Sequence, residues 1–256
     1  MTGLTASLLA RRKFEAPVAL VVAHPDDETL ALGGLMPLLP DLLVVHLTDG
    51  APRDGADARA LGFDGAPAYA AARRRELAAA LSAGGVAPRL VECGVADQDA
   101  VHQLPFLIDR LTTLLAGAAV VITHPYEGGH PDHDAAALAV RRAVDRLPAP
   151  PAVFEFPSYH AGPQGWVTGT FLPGPAATRI ALTEPEQLRK QAMLACFATQ
   201  QAVLRSFSTD AEALRPAPHC DFAAPPHGGA LLYEGFGWTL DGRAWRHAAA
   251  AMADLA

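Results

Sequence analysis

The sequence predicts an α/β fold: a Rossmann-like, mostly parallel sheet with helices on both faces and a C-terminal portion packed against it. Three observations carry that expectation. Short β-branched runs alternate with longer helical stretches, as in repeated strand–helix–strand units. The runs are near-continuously apolar rather than alternating, as for strands buried on both faces. Two of the runs end in dense clusters of His and Asp, at the position where open parallel sheets place their ligands. The chain has 256 residues, half of them hydrophobic, which is enough to bury the core of one such domain.

The elements follow in chain order. Residues 17–23, "PVALVVA", form the first strand, ended by "HPDDE". Residues 29–39, "TLALGGLMPLL", are apolar and of helical length, and Gly33–Gly34 within them would allow close helix–sheet packing. The run 41–47, "DLLVVHL", is a second strand, and "TDGAPRDG" after it has turn chemistry. Residues 68–83 are rich in Ala, Leu, Arg and Glu and stop at Gly84–Gly85, a C-terminal helix signal. A strand at 89–93, a helix near 102–116, a strand at 119–124 and a helix over 134–147 continue the alternation, and "AVFEFPS" (152–158) adds a strand. The Gly- and Pro-rich stretch 161–176 is expected to be a loop. A long helix is expected near 184–207, including "CFATQQ" as a structural segment. Residues 216–229 carry too much proline for regular structure, and a last helix is expected near 241–255. One domain spanning 1–256 is the simplest organisation, with a core over roughly 16–160 and the remainder, 161–256, packing on it.

The totals exclude several function classes. The formal net charge is −7, which disfavours non-specific binding to nucleic acid or to anionic membrane. No apolar run is long enough to span a bilayer, and the basic residues near the start follow the short apolar stretch rather than precede it, unlike a secretory signal. Cys93, Cys196 and Cys220 are far apart and odd in number, so neither a disulfide framework nor a thiolate zinc site is expected. A cytoplasmic protein is the expectation. No GxGxxG follows the first strand, which disfavours a dinucleotide site.

The chemistry lies in "AHPDDE" (23–28) and "HPYEGGHPDHDA" (124–135), each at a strand end and each containing His-Pro-Asp. Asp26, Asp27 and Glu28 are three adjacent acids, and a carboxylate leaves water only when paired or bound to a cation. His24 and Asp27, three residues apart, can share one face of a strand-to-helix turn. One histidine from the second segment, His130 or His133, would complete a set of three protein ligands with open positions, the pattern of a catalytic rather than a structural divalent-metal site. Such a metal lowers the pKa of a water to about 7 and polarises a carbonyl. A nearby carboxylate outside the ligand set can then shuttle protons, and Asp26, wedged between two of the proposed ligands, is the natural candidate.

"AHPDDETLALGG" followed a hundred residues later by "GGHPDHDA" resembles the PIG-L (LmbE-like) metal-dependent de-N-acetylases. The likeness is specific over residues 16–150, including "LTDG" (47–50) and the "RRRE" helix, and weaker beyond. The resemblance implies hydrolysis of the N-acetyl group of an amino-sugar derivative of the N-acetylglucosaminyl type. It implies Zn2+ as cofactor, with Fe2+ as the alternative, held by His24, Asp27 and His133. It implies Asp26 as general base, His130 as oxyanion stabiliser or donor to the departing amine, Asp132 as the group that orients a histidine, and Arg73 as a contact to substrate hydroxyls. The partner is then a small amino sugar, with no nucleic acid and no membrane insertion. Relatives are often oligomeric, so a homo-oligomer is open. One departure stands out: some relatives carry a tyrosine two residues before the first histidine of the second motif, and Gly128 occupies that place, with Tyr126 nearby as a substitute to be checked.

Plainer readings compete. Arg73, Arg74 and Arg75 each read first as a solvated helix face. His46 reads as a packed core histidine, and His124, His160, His219 and His227 as loop residues. "FPSYH" (156–160) ends a strand on the ligand side and is a weaker candidate for substrate contact. The whole could also be a non-catalytic sugar- or nucleotide-binding module, an amidohydrolase for a non-sugar N-acyl substrate, or a non-haem iron(II) enzyme, which uses the same two-histidine, one-carboxylate set.

Overall fold

The strand Val18–Val22 (β1) is all aliphatic and buried along its whole length, so both of its faces must be covered. The structure, a computed structural model, describes residues 3–163 and 165–251. A short helix Gly3–Leu9 (α1) precedes β1, and Asp27–Leu32 (α2) follows it. Next come Leu42–Pro52 (β2), the helices Ala56–Ala60 (α3) and Gly65–Gly84 (α4), and Arg89–Asp97 (β3). Then follow Leu104–Leu115 (α5), Val120–Thr123 (β4), Pro131–Asp145 (α6) and Ala152–Glu155 (β5). The rest is a hairpin of Tyr159–Gly162 (β6) and Gly165–Thr168 (β7), the strand Thr178–Ala181 (β8), the helices Glu184–Ala195 (α7) and Gln201–Leu204 (α8), the strand Ala211–Pro216 (β9), and Gly242–Ala251 (α9). The expected extension of the last helix to 255 falls partly on residues outside those described.

The main sheet has the order β3-β2-β1-β4-β5-β9-β8. The first five strands pair in parallel; β9 and β8 are antiparallel. The chain runs outward from β1 to β2 and β3, then returns to pair β4 on the other side of β1. That reversal is a topological switch, and it opens a crevice beyond the carboxyl ends of β1 and β4. Both motifs sit there, as their sequence positions predict.

Strand side chains divide by parity between two cores. Val18, Leu20, Val22, Val44 and Ile122 pack with α2, α4 and α7. Ala19, Val21, Val45, Leu47 and Val121 pack with α5, α6 and α9. The C-terminal third packs on this frame and also enters it, since β8 and β9 extend the sheet edge. Trp245 of α9 is fully buried and donates its indole N–H to Pro131 O at 3.0 Å, which clamps the start of α6. Trp245→Ala is expected to destabilise the fold by about 3–5 kcal/mol, read as a lower midpoint in urea at unchanged slope.

Three elements depart from the sequence expectation. The turn "TDGAP" continues β2, because β3 runs on beside it to Asp97 with register shifts at Thr48 and Pro52. The long helix over 184–207 breaks after Ala195. Phe197 turns inward to full burial, and the Gln201 side-chain amide donates to Leu194 O and Phe197 O, which satisfies the freed carbonyls. The stretch 161–176 holds part of the β6–β7 hairpin, with Ala161 opposite Trp166.

Candidate metal and catalytic site

The three adjacent acids of the first motif have three separate partners. Glu28 is fully buried; its Oε2 accepts the Asp26 N–H at 3.0 Å and stands 3.0 Å from His46 Nε2, while Oε1 accepts from Thr29 Oγ1. His46 is thus a packed core histidine, as expected, whose task is to hold this turn. Asp27 Oδ2 accepts the His24 N–H at 2.8 Å and faces the imidazoles of His24 and His124, each at 3.3 Å. Asp26 Oδ2 accepts from Arg73 Nη2 at 3.1 Å. The turn is strained: Asp26 has φ +125°, a conformation that costs about 1–3 kcal/mol and that persists only where its surroundings impose it.

Arg73 corrects the reading of the three arginines as a solvated face. It is buried, and it donates also to Gly50 O at 2.9 Å and Pro25 O at 2.7 Å. Arg74 keeps the plainer role, on the surface against Glu92.

The second motif begins with a backbone that has no room for side chains. A Cβ on Gly129 would lie 1.9 Å from Tyr159 O. The clash is with a backbone carbonyl, so no side-chain rotation relieves it. Gly129→Ala is therefore expected to push β6 away from the loop and to lower both the melting temperature and the metal content. His130 caps α6: its Nδ1 accepts the Asp132 N–H at 3.1 Å, Pro131 occupies the first helical position, and Asp132 and Asp134 lie in the first turn, where the helix dipole favours acids. Because Nδ1 accepts, the neutral ring carries its proton on Nε2. Burial pushes His130 well below the usual histidine range, with His24 adding to the effect.

His24 is oriented from the far side. Its Nε2 lies 3.1 Å from Asp97 Oδ1 and 3.3 Å from Asp132 Oδ2. Asp132 in turn accepts the Gln98 N–H at 2.7 Å and the Ala100 N–H at 3.1 Å. Nδ1 of His24 therefore points to Asp27, 3.3 Å away. Burial lowers the basicity of His24, and the surrounding carboxylates more than offset that. Asp97 escapes a reading that ends its strand at residue 93; the rule that flagged β1 and β4 would have found it at the true end of β3.

His133 is buried with neither ring nitrogen hydrogen-bonded. It stacks on His124 at a centroid distance of 3.9 Å. Burial, aided by His124, pushes His133 down to about 3, so it is neutral at pH 7 with a free lone pair. His124 lies in the loop just past β4, as expected, but it is buried and fixed there: its Nε2 accepts the Ala23 N–H at 3.1 Å and its Nδ1 meets Ser158 Oγ at 2.9 Å. Ligand atoms of His24, Asp27 and His133 all fall within 4.8 Å of one another. A buried carboxylate, a buried histidine that makes no hydrogen bond and whose Nε2 faces that carboxylate at 3.6 Å, and a histidine oriented by acids on its other nitrogen fit a divalent cation by chemistry and by placement. A second grouping, His24 with Asp97, His130 and Asp132, is accounted for by the contacts that orient His24.

These groups floor a cavity of about 440 Å3. Asp26, Asp97, Arg73 and His130 line it beside the three candidate ligands. Gln200 reaches it because the helix over 184–207 is broken, so "CFATQQ" is more than a structural segment. Tyr126 does not stand in for the absent tyrosine: its hydroxyl donates to Ala224 O and its ring packs on Trp245. Tyr159, from the weaker candidate "FPSYH", lines the cavity instead, its ring 5.1 Å from that of His133.

A family model described as PIG-L, GlcNAc-PI de-N-acetylase, matches residues 19–144, which span β1 through most of α6 and both motifs. Over those residues, just under half of the chain, the sequence is similar to the PIG-L family. Among curated relatives, a probable N-acetyl-alpha-D-glucosaminyl L-malate deacetylase 2 of Bacillus cereus is 32% identical over 141 residues, covering 52% of this chain and 63% of the relative. A 1D-myo-inositol 2-acetamido-2-deoxy-alpha-D-glucopyranoside deacetylase of Mycobacterium sp. (strain KMS) is 35% identical over 152 residues, 49% of each. The chain thus spans about half to three-fifths of the length of these relatives. Among solved structures, the A40926 pseudoaglycone deacetylase Dbv21 superposes with a TM-score of 0.60 at 18% identity, covering 79% of this chain and 97% of that one; this shows the fold of the chain. No helix among its described residues is long and apolar enough to cross a membrane.

Proposed function

We propose that this chain is a zinc-dependent hydrolase that removes the N-acetyl group from an amino-sugar derivative of the N-acetylglucosaminyl type. The observation that carries the reading is the convergence of His24, Asp27 and His133 at the cavity floor, with Asp26 beside them and outside the ligand set. A divalent metal held there would polarise the amide carbonyl and acidify a water; zinc suits two imidazoles and a carboxylate, and iron(II) is the alternative.

The chain's own groups supply the rest. Asp26 is the proton carrier. Burial raises its pKa, the neighbouring Asp27 and Glu28 add to that, and Arg73 opposes it; the balance lies above the usual carboxylate range, which favours accepting a proton at neutral pH. The carbon–oxygen bond to the attacking water forms as Asp26 takes its proton. The carbon–nitrogen bond then breaks as that proton passes to the nitrogen, giving acetate and a primary amine. His130, neutral and protonated on Nε2, can donate a hydrogen bond to the oxygen that gains charge. Asp132 and Asp97 fix His24. Arg73 holds Asp26 in place through Nη2; a contact to substrate hydroxyls, as the resemblance implies, falls to Nε, the guanidinium nitrogen without a hydrogen-bond partner.

The test is elemental analysis of the purified protein, followed by chelation, reconstitution and incubation with N-acetylglucosaminyl conjugates while acetate and amine are measured. About one zinc or iron per chain and metal-dependent release of both products are expected. A protein that holds no metal, and takes up none on reconstitution, would leave a non-catalytic binding module as the better reading.

A further inference from the structure

The cavity floor is polar and its walls, Gln200 apart, are mostly apolar. From His133 an aromatic chain rises on the β6–β7 hairpin: Tyr159 stands 5.1 Å from His133, and Trp166 stands 5.3 Å from Tyr159, edge to face. A second rises from His130: Trp238 stands 4.9 Å from it, and Phe236 5.0 Å further on. The two chains come from segments seventy residues apart and diverge from neighbouring histidines toward the mouth. At the mouth Trp166 is 37% exposed and Phe236 45% exposed. Leu30, Val203 and Leu204 close the remaining side.

Charge is scarce on these walls. Among the described residues lining the cavity, Arg73 is the one lysine or arginine; its charge is already paired with Asp26, and both Nη atoms are committed to Asp26, Gly50 O and Pro25 O. Asp26, Asp27 and Asp97 line the same space. A dicarboxylate group attached to the sugar would meet no free cation, and a polyhydroxylated ring would find one side-chain amide, Gln200, among side chains that are mostly aromatic or aliphatic. An apolar ring would gain stacking area on two sides and cover the exposed tryptophan and phenylalanine.

Resting on the reading of the site as an N-acetyl amino-sugar hydrolase, we propose that the substrate carries an apolar, aromatic aglycone, gripped between Trp166 on one wall and Trp238 and Phe236 on the other. The sugar ring lies on the polar floor and the aglycone fills the funnel above it. This sets the chain apart from the relatives whose names specify malate or inositol conjugates.

The experiment compares three conjugates of N-acetylglucosamine on the metal-loaded protein: the phenyl α-glycoside, the methyl α-glycoside and the α-linked L-malate. Acetate release gives kcat/KM for each. Titration calorimetry with the phenyl and methyl glycosides of glucosamine, which lack the scissile amide, gives affinity apart from turnover. The phenyl compounds are expected to lead the methyl ones at least tenfold in both readouts, and Trp166→Ala and Trp238→Ala to reduce that ratio to threefold or less. Hydrolysis with the phenyl, methyl and malate conjugates within twofold of one another overturns the aromatic funnel and leaves the hydrolase standing. Tight, tryptophan-dependent binding of the phenyl glycoside with no hydrolysis of any conjugate supports the funnel and overturns the hydrolase.

Discussion

Asp26→Asn is expected to retain the metal content of the parent and to lose turnover by about 10²–10⁴-fold, the usual contribution of a positioned acid–base group. Asparagine is the informative replacement. It tolerates positive φ nearly as well as aspartate, so the strained turn at φ +125° persists, and its carbonyl can still accept from Arg73 Nη2. What it removes is the ability to take a proton. Alanine removes the same group but also leaves Arg73 buried beside no acceptor on that side chain, an added cost of about 1–3 kcal/mol or more for a charged donor, and so mixes stability with catalysis. Full turnover in Asp26→Asn, measured as acetate release at saturating substrate, would assign the proton transfer to another group.

His133→Ala is expected to abolish metal binding, from about one ion per chain to none by elemental analysis, and activity with it. Its effect on stability has an unusual sign. In the metal-free protein neither His133 ring nitrogen is hydrogen-bonded, Nε2 standing 3.6 Å from Asp27 Oδ1; each costs about 1–3 kcal/mol of lost solvation, which offsets the ring contacts to His124 and Tyr159 that the substitution removes. The metal-free variant should therefore melt no lower than the metal-free parent. The metal-loaded parent should exceed both, by about 2.7 kcal/mol when free metal is a hundredfold above its dissociation constant. A variant that melts far below the metal-free parent would make His133 a packing residue first.

The frame and the floor of the site were legible in the sequence because both follow from strand ends. Aliphatic runs that need cover on both faces dictate a parallel sheet, and "HPDDE" and "GGHPDHD" stand where such a sheet binds ligands. His24, Asp27 and His133 could be brought together from spacing and resemblance. Asp97 could not, because Gly94 interrupts the strand pattern and hides the continuation of β3, which only the register of β2 supports. Arg73 was masked by its neighbours: three arginines in a row look like one solvated face, and only the position of Gly50 O and Pro25 O shows which of them turns inward. The walls were least legible. Trp166 lies in a stretch whose glycines and prolines suggest a plain loop, and Gln200 and Val203 enter the cavity only because Phe197 breaks a helix that every local propensity would continue.

The break at Phe197 has a consequence for how such a protein diversifies. The floor is welded to the parallel half of the sheet and to the start of α6, where Trp245 pins it. Apart from Leu30 of α2, the walls hang from the β6–β7 hairpin, from α8 and its approach, and from the segment around Trp238, none of which carries a candidate metal ligand. Selection can therefore redraw the walls by exchanging short surface segments while the chemistry stays on its original supports. Transplanting residues 159–168 and 232–238 into a relative should carry over preference without rebuilding the reaction, as a change of jaws refits a lathe to new stock without touching the spindle.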